Sequence, residues 1–331
     1  EAHYGGSTNF KSGGGVLSGG KGVSPASTTT TLTMGSASSQ FGDTPTAVAR
    51  VSSVAGAPGG RVVFTIDGVP GPDAPLVGGE ATVLLSGLAI GDRSITAAYQ
   101  VSDSFSASVS GAVAHTVSKA TSSVLLTATP EPTVTGQAVT FTARASTPGG
   151  PATGSIIFTI DNQQVLPGVT LVNGEATLTR SSLAVGNHTV SAAYSGSATA
   201  LSATGSLPGG HTVGRAATTT TISSNAASGA FGAAAVFTAH VEALAPGVGA
   251  PTGSVTFSLN GAQQPPQNLI NGAAVLSLPS LTVNTYTVTA VYSGDAGFLQ
   301  STDALASGYQ VLPADTALSL TVSPEPSRFK D

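Results

Sequence analysis

Several residue types are scarce or absent in this chain, and each absence excludes something. There is no cysteine, which excludes disulfide bonds and thiolate-bound metals, and no tryptophan. Charged residues make up only 8% of the chain, against roughly 25% in an ordinary soluble domain. Its 11 Lys and Arg are scattered, so no basic patch predicts nucleic-acid binding. No apolar run approaches the ~18 residues of a membrane-spanning helix.

What is abundant instead fits a folded chain with many turns. Hydrophobic residues make up 40% of its 331 residues, enough for two or three domains with their own cores. Gly and Pro are more frequent than average, with 42 and 20 residues, but remain below the level of low-complexity polymers. With so little charge, the surface is expected to consist mainly of Thr, Ser, Gly and Ala.

An internal repeat of about 95 residues is the main signal in the sequence. An Ala-x-Tyr motif recurs with its tyrosine at Tyr4, Tyr99, Tyr194 and Tyr292. The same period returns in a strand-like segment around Phe64, Phe158 and Phe257, in Gly-Glu-Ala-Thr or a variant of it, and in Thr-rich openings. Each period therefore predicts one structural unit.

Within each unit, apolar and polar residues alternate with period two, which is typical of half-buried β-strands. The inward positions of the second unit are predicted to be Ile156, Phe158, Ile160, Ala176, Leu178, Val190, Ala192 and Tyr194. Pairs able to adopt positive φ follow the Phe-bearing strand, namely Asp67-Gly68, Asp161-Asn162 and Asn260-Gly261. Five to seven short strands per unit predict an all-β fold of two-sheet sandwiches.

In each unit a turn follows a leucine, at Leu88, Leu183 or Leu281. The residue two places after that turn is Arg93, His188 and Tyr286 in the three units. It matches the tyrosine-corner position of immunoglobulin-type sandwiches, where a side-chain donor bonds back to the backbone. We therefore interpret His188 as structural.

Four segments carry a family resemblance: residues 218–221, 136–143, 251–257 and 290–295. With them the chain resembles the tandem bacterial Ig-like repeats of group 3. The resemblance implies an immunoglobulin-like fold and an extracellular setting in adhesins, stalks or polymers, and it brings no catalytic residues. The first unit departs from the pattern, because Ala47 stands where Phe141 and Phe237 stand and Pro45 interrupts the strand; Phe41 is a candidate to fill the space.

The repeat predicts a domain division into five segments. These are 1–26 as the last strands of a preceding repeat, Ig-like domains at 27–119, 120–215 and 216–314, and 315–331 as the first strand of a following repeat. The linkers between units are three to five residues long, which predicts semi-rigid stacking into an end-to-end rod. Incomplete terminal units leave strand exchange between chains open.

The search for chemistry yields no catalytic, cofactor-binding or metal-binding residue. The histidines His3, His115, His188, His211 and His240 do not cluster, and we expect His115 and His211, which share a position with Lys21 and Tyr309, to lie at a tolerant surface or edge. Residues 13–20 lack the spacing of a phosphate-binding loop. Asp295 and Asp315 are conceivable calcium ligands, but no Asp-x-Asp cluster supports them. The sequon at Asn187 is expected to have no role.

These observations predict a non-enzymatic structural protein, secreted or on the cell surface. It would be a stalk or filament component that spans distance and associates with copies of itself, laterally or end to end. The alternative is an adhesin or a module that binds carbohydrate or a host surface through loops at the ends of the sandwich. A sparse set of aromatic residues, 5% of the chain, disfavours the alternative.

Overall fold

The structure is a computed structural model, and it describes residues 1–15, 22–100, 102 and 104–321. Within these residues the secondary structure is β-strand, with no helix, so none is long and apolar enough to cross a membrane. The all-β prediction is confirmed.

The strands follow the repeat. Before and within the first repeat they are β1 (Ala2–Tyr4), β2 (Gly13–Gly15), β3 (Thr29–Met34), β4 (Ser38–Gln40), β5 (Thr46–Ser52), β6 (Arg61–Ile66), β7 (Val69–Pro75), β8 (Glu80–Leu84), β9 (Gly91–Tyr99), β10 (Ser108–Val109) and β11 (Val113–Ser118). In the second they are β12 (Ser123–Thr129), β13 (Thr133–Val134), β14 (Val139–Thr147), β15 (Gly150–Pro151), β16 (Ser155–Ile160), β17 (Gln163–Thr170), β18 (Glu175–Arg180), β19 (Gly186–His188), β20 (Val190–Tyr194), β21 (Ala203–Ser206) and β22 (His211–Gly214). In the third they are β23 (Thr218–Ser224), β24 (Ser228–Ala230), β25 (Ala235–Ala243), β26 (Ser254–Leu259), β27 (Ala262–Gln263), β28 (Gln267–Asn268), β29 (Ala273–Leu278), β30 (Asn284–Tyr286), β31 (Val288–Tyr292), β32 (Ser301–Ala304) and β33 (Tyr309–Leu312).

Each repeat is a sandwich of two layers. In the first repeat, one sheet has the order β3-β5-β8 and the other β4-β11-β9-β6-β7. The third repeat has β23-β25-β29 in one layer, and β24-β33-β30 with β27-β26-β31-β32 in the other. In every repeat a short strand near the start pairs in parallel with the last strand: β4 with β11, β13 with β22, and β24 with β33.

Alternation along the strands places the expected side chains inside. Phe64, Phe158 and Phe257 are fully buried, and the inward positions predicted for the second repeat are all buried. The predicted turns adopt positive φ, for example at Asp67 (52°) and Asn260 (46°), as tight hairpins require. The period-two pattern therefore predicts the core correctly.

The chain forms two compact units. The first comprises Glu1–Ser123, Ser146–Thr153 and Gly196–Ser202; the second comprises Val124–Ala145, Gly154–Ser195 and the chain from Ala203. One core cluster, which includes Phe64, Ile95 and Tyr99, belongs to the first repeat. Another, which includes Phe237, Phe257 and Tyr292, belongs to the third, with Val134 of the second repeat packed against its edge.

Strand β5 of the first repeat, which has Ala47 where the other repeats have phenylalanine, forms despite Pro45. It begins at Thr46, Ala47 is fully buried, and the backbone oxygen of Pro45 accepts a hydrogen bond from Leu85. Phe41 packs against this core, as expected, and so does Met34. Leu85, 1% exposed, adds further apolar volume to the same cluster.

The terminal segments contain little paired structure in the described part of the chain. β1 and β2 pair as an antiparallel ribbon, with Tyr4 and Phe10 exposed. Residues 313–321 form no strand, and Leu318 and Leu320 are 97% and 87% exposed. Most of the predicted following strand, from residue 322 on, lies outside the described residues.

Candidate functional site

His115 and His211 are buried, which corrects the expectation of a surface or edge position. Both have 0% exposure and point into the sandwich from the last strand of their repeats. The His115 Nε2 lies 2.8 Å from Ser39 Oγ, and its Nδ1 lies 3.1 Å from the Ser36 backbone oxygen. Tyr309, at the same position in the third repeat, is also buried, whereas Lys21 lies outside the described residues. The position is therefore buried in all three repeats, whether it holds histidine or tyrosine.

In the second repeat this position is a small polar network beside the core. His211 Nε2 lies 2.8 Å from Thr133 Oγ1, Nδ1 bonds to the Glu131 carboxylate, and the ring meets Phe141 edge-on with centroids 5.5 Å apart. Tyr309 meets Phe237 in the same way at 5.3 Å. The contact with Phe141 of β14 joins the last strand to the opposite sheet, and the bonds to Thr133 and Glu131 join it to the neighbouring strand β13 of its own sheet and to the residues just before that strand.

We expect His211→Ala to lower the free energy of unfolding by about 2–4 kcal/mol, because it opens a cavity and leaves the buried Thr133 hydroxyl without its partner. The double variant His211→Phe with Thr133→Val fills the cavity and removes the unpaired hydroxyl, so it should recover most of the loss, since replacing a bonded pair by apolar groups of similar shape is nearly neutral. The Glu131 carboxylate that remains is 36% exposed and can be hydrated. Urea unfolding followed by circular dichroism measures both. A loss below about 0.5 kcal/mol for His211→Ala, which is typical of surface substitutions, would restore the surface interpretation.

The corner position behaves as predicted in all three repeats. Arg93 donates to the Ile90 backbone oxygen at 3.0 Å, His188 Nε2 lies 2.8 Å from the Ala184 oxygen, and the Tyr286 hydroxyl donates to the Thr282 oxygen at 3.1 Å. Three different side chains therefore close the same turn. The structural interpretation of His188 is confirmed.

His188 also joins this corner to the hairpin turn at Asp161. Its Nδ1 lies 2.6 Å from Asp161 Oδ2, and the His188 side chain is 11% exposed. The bonds to the Ala184 oxygen and to Asp161 raise the pKa of His188 although burial opposes this, while the bond from His188 lowers the pKa of Asp161. Charge and geometry both favour an imidazolium at this place.

The pair should make stability depend on pH. A raised histidine pKa contributes stability that is complete below about pH 6.5 and is lost as pH rises through the folded-state value. A lowered aspartate pKa contributes stability that is present above about pH 4 and is lost as pH falls through the folded-state value. The variant His188→Tyr places the residue of the third repeat at this position. We expect the Tm of the unmodified chain to exceed that of His188→Tyr by more at pH 5.5 than at pH 8.5. An unchanged difference would mean that the pair carries no charge-dependent stability.

The two aspartates that the sequence offered as calcium ligands do not form a calcium site in the described residues. Asp295 already accepts hydrogen bonds, and Asp315 lies exposed, away from other acidic groups. Asp295 Oδ1 accepts hydrogen bonds from the backbone of Gly297 and Phe298, and its Oδ2 accepts two from Thr252. This carboxylate closes its own loop and bonds it to Thr252 in a second loop. Asp315 is exposed, and the described residues contain no group of three or more His, Cys, Asp or Glu arranged to hold a metal ion.

The remaining candidate residues from the sequence that the structure describes lie at the surface. Asn187 is exposed and donates to the Gly209 oxygen at 3.1 Å. His3 lies 3.3 Å from the Glu1 carboxylate at the surface, and His240 is exposed. Of the glycine-rich stretch 13–20, Gly13–Gly15 form β2, and the remainder lies outside the described residues.

Hydroxyl clusters that the sequence did not reveal close one edge of two sandwiches. In the first repeat Ser108 Oγ lies 2.7 Å from both Thr28 Oγ1 and Thr30 Oγ1. In the third repeat Ser301 occupies the same place between Thr218 and Thr220, at 2.8 and 2.6 Å. In these two repeats the Thr-rich opening thus bonds the first strand to a strand about 80 residues later.

The linkers between repeats are fixed to the repeat that follows them. Ala120 is 2% exposed, donates its N–H to the Thr199 oxygen and accepts from Leu201 N–H, both at 2.9 Å. Ala216 is fully buried and makes the same pair of bonds with Gly297 and Leu299. Ala120 and Ala216 are therefore part of the repeat that follows them and not of an unpaired connecting segment.

A second set of contacts involves the turns at residues 40–42, 134–136 and 230–232, which we call the joint turns. Each turn is closed by a bond from its middle residue to the end of the last strand: Phe41 to Ser118, Thr135 to Gly214, and Phe231 to Leu312, at 2.8, 3.0 and 2.8 Å. The three joint turns are therefore equivalent in backbone geometry. They are the candidate functional site, because two of them contact the next repeat.

In the first compact unit, the joint turn at 40–42 contacts the loop at 147–153. Phe41 is half-buried and lines a cavity of about 120 Å³ with Gly149, Ala152 and Ala200. A Cβ on Gly42 would lie 3.2 Å from the Gly149 Cα. The Gln40 amide oxygen accepts bonds from the Thr121 N–H and hydroxyl at 2.9 and 3.1 Å.

In the second compact unit, the joint turn at 134–136 contacts the loop at 244–251. The Val248 N–H donates to the Thr135 oxygen at 3.0 Å, and the Thr135 hydroxyl donates to the Gly297 oxygen at 2.7 Å. Gly136 has φ +76°, and a Cβ there would lie 2.0 Å from the Val248 oxygen. Only glycine allows this approach.

The sandwich topology and the joints define a chain of tandem immunoglobulin-like domains. The model of the bacterial Ig-like domain (group 3) matches residues 32–118, 126–213 and 219–308. The chain therefore belongs to this family, and the resemblance found in the sequence is confirmed.

Comparison with solved structures gives similarities of fold only. The I9–I11 tandem of titin is 10% identical, with a TM-score of 0.29, covering 86% of this chain and 100% of that one. The Escherichia coli adhesin FdeC is 15% identical, with a TM-score of 0.26, covering 85% and 96%. The Yersinia pseudotuberculosis adhesin InvE is 19% identical, with a TM-score of 0.30, covering 60% and 65%. The comparison with curated proteins gives no match.

Proposed function

We propose that this chain is a non-catalytic structural component of an extracellular or cell-surface array, a stalk or filament segment that spans distance. The observation that carries the proposal is the fixed linker. Ala120 and Ala216 are buried, and each donates and accepts a backbone hydrogen bond with the repeat that follows it, so the short linkers contain no long unpaired segment. A protein whose task is to hold distance benefits from such joints, whereas an independent domain needs none.

Association with copies of the same chain is the second part of the proposal. Only 8% of residues are charged, so the surface offers little repulsion between neighbouring chains. Hydroxyl-bearing strand positions at the surface support lateral contacts through further hydroxyl bonds. An example is the exposed Thr179, whose hydroxyl oxygen lies 3.2 Å from that of the half-buried Thr140.

Electron microscopy of the purified chain over a range of concentrations tests this function. We expect extended particles that form bundles or strings as concentration rises. Dispersed single particles at every concentration would remove self-association, and particles that bend freely at the linkers would remove the distance-holding role.

A binding module remains the second candidate, because one surface depression brings polar side chains together. It measures about 470 Å³ in the second repeat and is lined by Thr159, Asn162, Thr189, Ser191 and Ser206, together with the apolar Val190 and Leu207. Its lining contains no aromatic side chain on which a sugar ring could stack. Specific binding on a glycan array, abolished by Asn162→Ala and Ser206→Ala, would favour this candidate over the structural one.

A further inference from the structure

The three-stranded sheet of each repeat has one outer edge with which no strand pairs in the described part of the chain. That edge is β8, β18 or β29, each of which pairs as a strand only with the middle strand of its sheet. The opposite edge lies against the other layer, through the hydroxyl clusters in the first and third repeats and through the approach of Gly205 to the Val124 backbone in the second. One edge is therefore left open at the same place in every repeat.

The outer edge of the other layer is different, because it carries proline in every repeat. These prolines are Pro70, Pro72 and Pro75 in β7, Pro167 in β17, and Pro265 and Pro266 between β27 and β28. Proline lacks a backbone N–H, and proteins use it to prevent exposed edge strands from pairing. β8, β18 and β29 contain no proline. One edge of each sandwich is thus protected against pairing, and the open edge is not.

The backbone groups of β18 that face the open edge belong to Thr177 and Thr179. The Ala145 N–H donates to the Gly174 oxygen at 2.8 Å, so these two residues form a bonded pair of the ladder between β14 and β18. Bonded pairs alternate in an antiparallel ladder, so the residues two and four places after Gly174 face β14. The N–H and C=O of Thr177 and Thr179 therefore point away from β14, and both residues are exposed.

The charges of β18 are complementary to those of a second copy of the same strand. β18 begins with Glu175 and ends with Arg180, so antiparallel pairing of two copies brings the acidic end of each strand to the basic end of the other. Neither β8 nor β29 contains a basic residue. The open edge of the second repeat is therefore the one whose charges favour pairing with itself.

The threonines of this sheet fit the same arrangement. Thr177 lies opposite Thr142 of β14, and Thr179 lies opposite Thr140, with the last two hydroxyl oxygens 3.2 Å apart. When Thr177 of one copy lies opposite Thr179 of the other, four backbone hydrogen bonds form and the two side chains share a face. Two rows of threonine then continue from one copy into the next, and cross-strand threonine pairs stabilise a sheet.

We propose that β18 pairs with β18 of a second copy of this chain in antiparallel orientation, with Thr177 of each copy opposite Thr179 of the other. This inference rests on the proposed self-association and names the surface that makes its lateral contact. The contact is isologous, so it closes after two chains. It is small and belongs to the transient class, so we expect association between micromolar concentration and about 1 mM.

Sedimentation equilibrium over this concentration range tests the pairing with two charged variants. We expect the average mass of the unmodified chain to rise above 32.1 kDa towards that of a dimer. Thr177→Lys with Thr179→Lys, and Thr177→Glu with Thr179→Glu, should each keep the chain at 32.1 kDa, because like charges then lie directly opposite each other. An equimolar mixture of the two variants should form dimers again, because each lysine then lies opposite a glutamate. That recovery also shows that both variants are folded.

The open edge of the first repeat supplies the matched control. Thr82→Lys with Leu84→Lys places two lysines at the equivalent exposed positions of β8. The rise in mass should be the same as for the unmodified chain, because β8 takes no part in the contact.

Disulfide formation tests the register, because the chain contains no cysteine of its own. Residues that exchange both backbone bonds have Cα atoms about 5.5 Å apart, which a disulfide can bridge. An oxidised mixture of Thr177→Cys and Thr179→Cys chains should therefore give a cross-linked dimer. Either variant alone should give much less, because its cysteines would lie on a diagonal of about 7–8 Å.

Four results would overturn the proposal, and they differ in what else they remove. No rise in mass for the unmodified chain would remove both the pairing and the self-association on which it rests. Dimers that persist in both charged variants would leave self-association in place and assign it to another surface. Failure of the mixture to form dimers would mean that β18 meets a different segment of the second copy. An equal loss in the β8 variant would show that added charge, and not the edge of β18, prevents association.

Discussion

Replacing Phe257 by alanine should lower the free energy of unfolding of the third repeat by about 3–5 kcal/mol, the range for deleting a buried phenylalanine. Phe257 is fully buried at the centre of β26, where it packs within the core that also holds Phe237 and Tyr292. The loss combines the transfer of the ring to water with the cavity that remains. Urea unfolding followed by tyrosine fluorescence and circular dichroism measures it.

The matched control is Phe64→Ala, because Phe64 occupies the same place in the first repeat and belongs to a separate cluster. Each variant should move one unfolding transition to lower urea and leave the other in place. Equal displacement of the whole unfolding curve by either variant would mean that the two cores unfold together, so the repeats would not be independent folding units.

The second large effect is expected at Gly136, at the joint in the second compact unit. An alanine there adopts positive φ, which costs about 1–2 kcal/mol for a residue with a Cβ. Its Cβ would also lie 2.0 Å from the Val248 oxygen, so the bond from Val248 to Thr135 must break or the turn must move. We expect a total loss of about 3 kcal/mol or more, adding the backbone strain to the cost of overpacking.

Gly232→Ala separates these two causes. Gly232 has φ +87° at the equivalent turn, with nothing near its would-be Cβ, so it should show the backbone strain alone. The difference between the two variants in thermal unfolding measures the contact with Val248. Equal losses in Gly136→Ala and Gly232→Ala would show that this contact contributes nothing.

Features set by local patterning could be predicted from the sequence. Alternation places Phe64, Phe158 and Phe257 in the core, because period two determines which face of a strand each residue occupies. The corner at His188 could be predicted because a donor at a fixed distance from a turn has a fixed partner. Asp67-Gly68 indicates a hairpin because few residues tolerate positive φ.

The burial of two histidines was not predicted, although a signal for it is present. His115 and His211 stand two residues before the inward-facing Val117 and Val213, so the same alternation places them inside. Their polarity and the variety of residues at this position favour a surface interpretation instead. What decides burial at this position is the availability of bonding partners, Ser39 for one and Thr133 for the other, on a strand about 80 residues away.

The joints and hydroxyl clusters had no pattern from which they could be predicted. The contact of Gly136 with Val248 depends on how two loops, more than 100 residues apart, approach each other through backbone atoms. The bond from Thr28 to Ser108 likewise depends on which strands become neighbours at the sandwich edge. Sequence motifs indicate neither, since serine, threonine and glycine are abundant throughout this chain.

Hydrogen exchange measured by mass spectrometry on the unmodified chain and on Phe257→Ala tests the central claim most directly, namely that each repeat folds around its own core. We predict that amide protection falls in β26 and β31, in the third repeat, and is unchanged in β6 and β9, in the first. A loss of protection spread evenly over both repeats would contradict the claim.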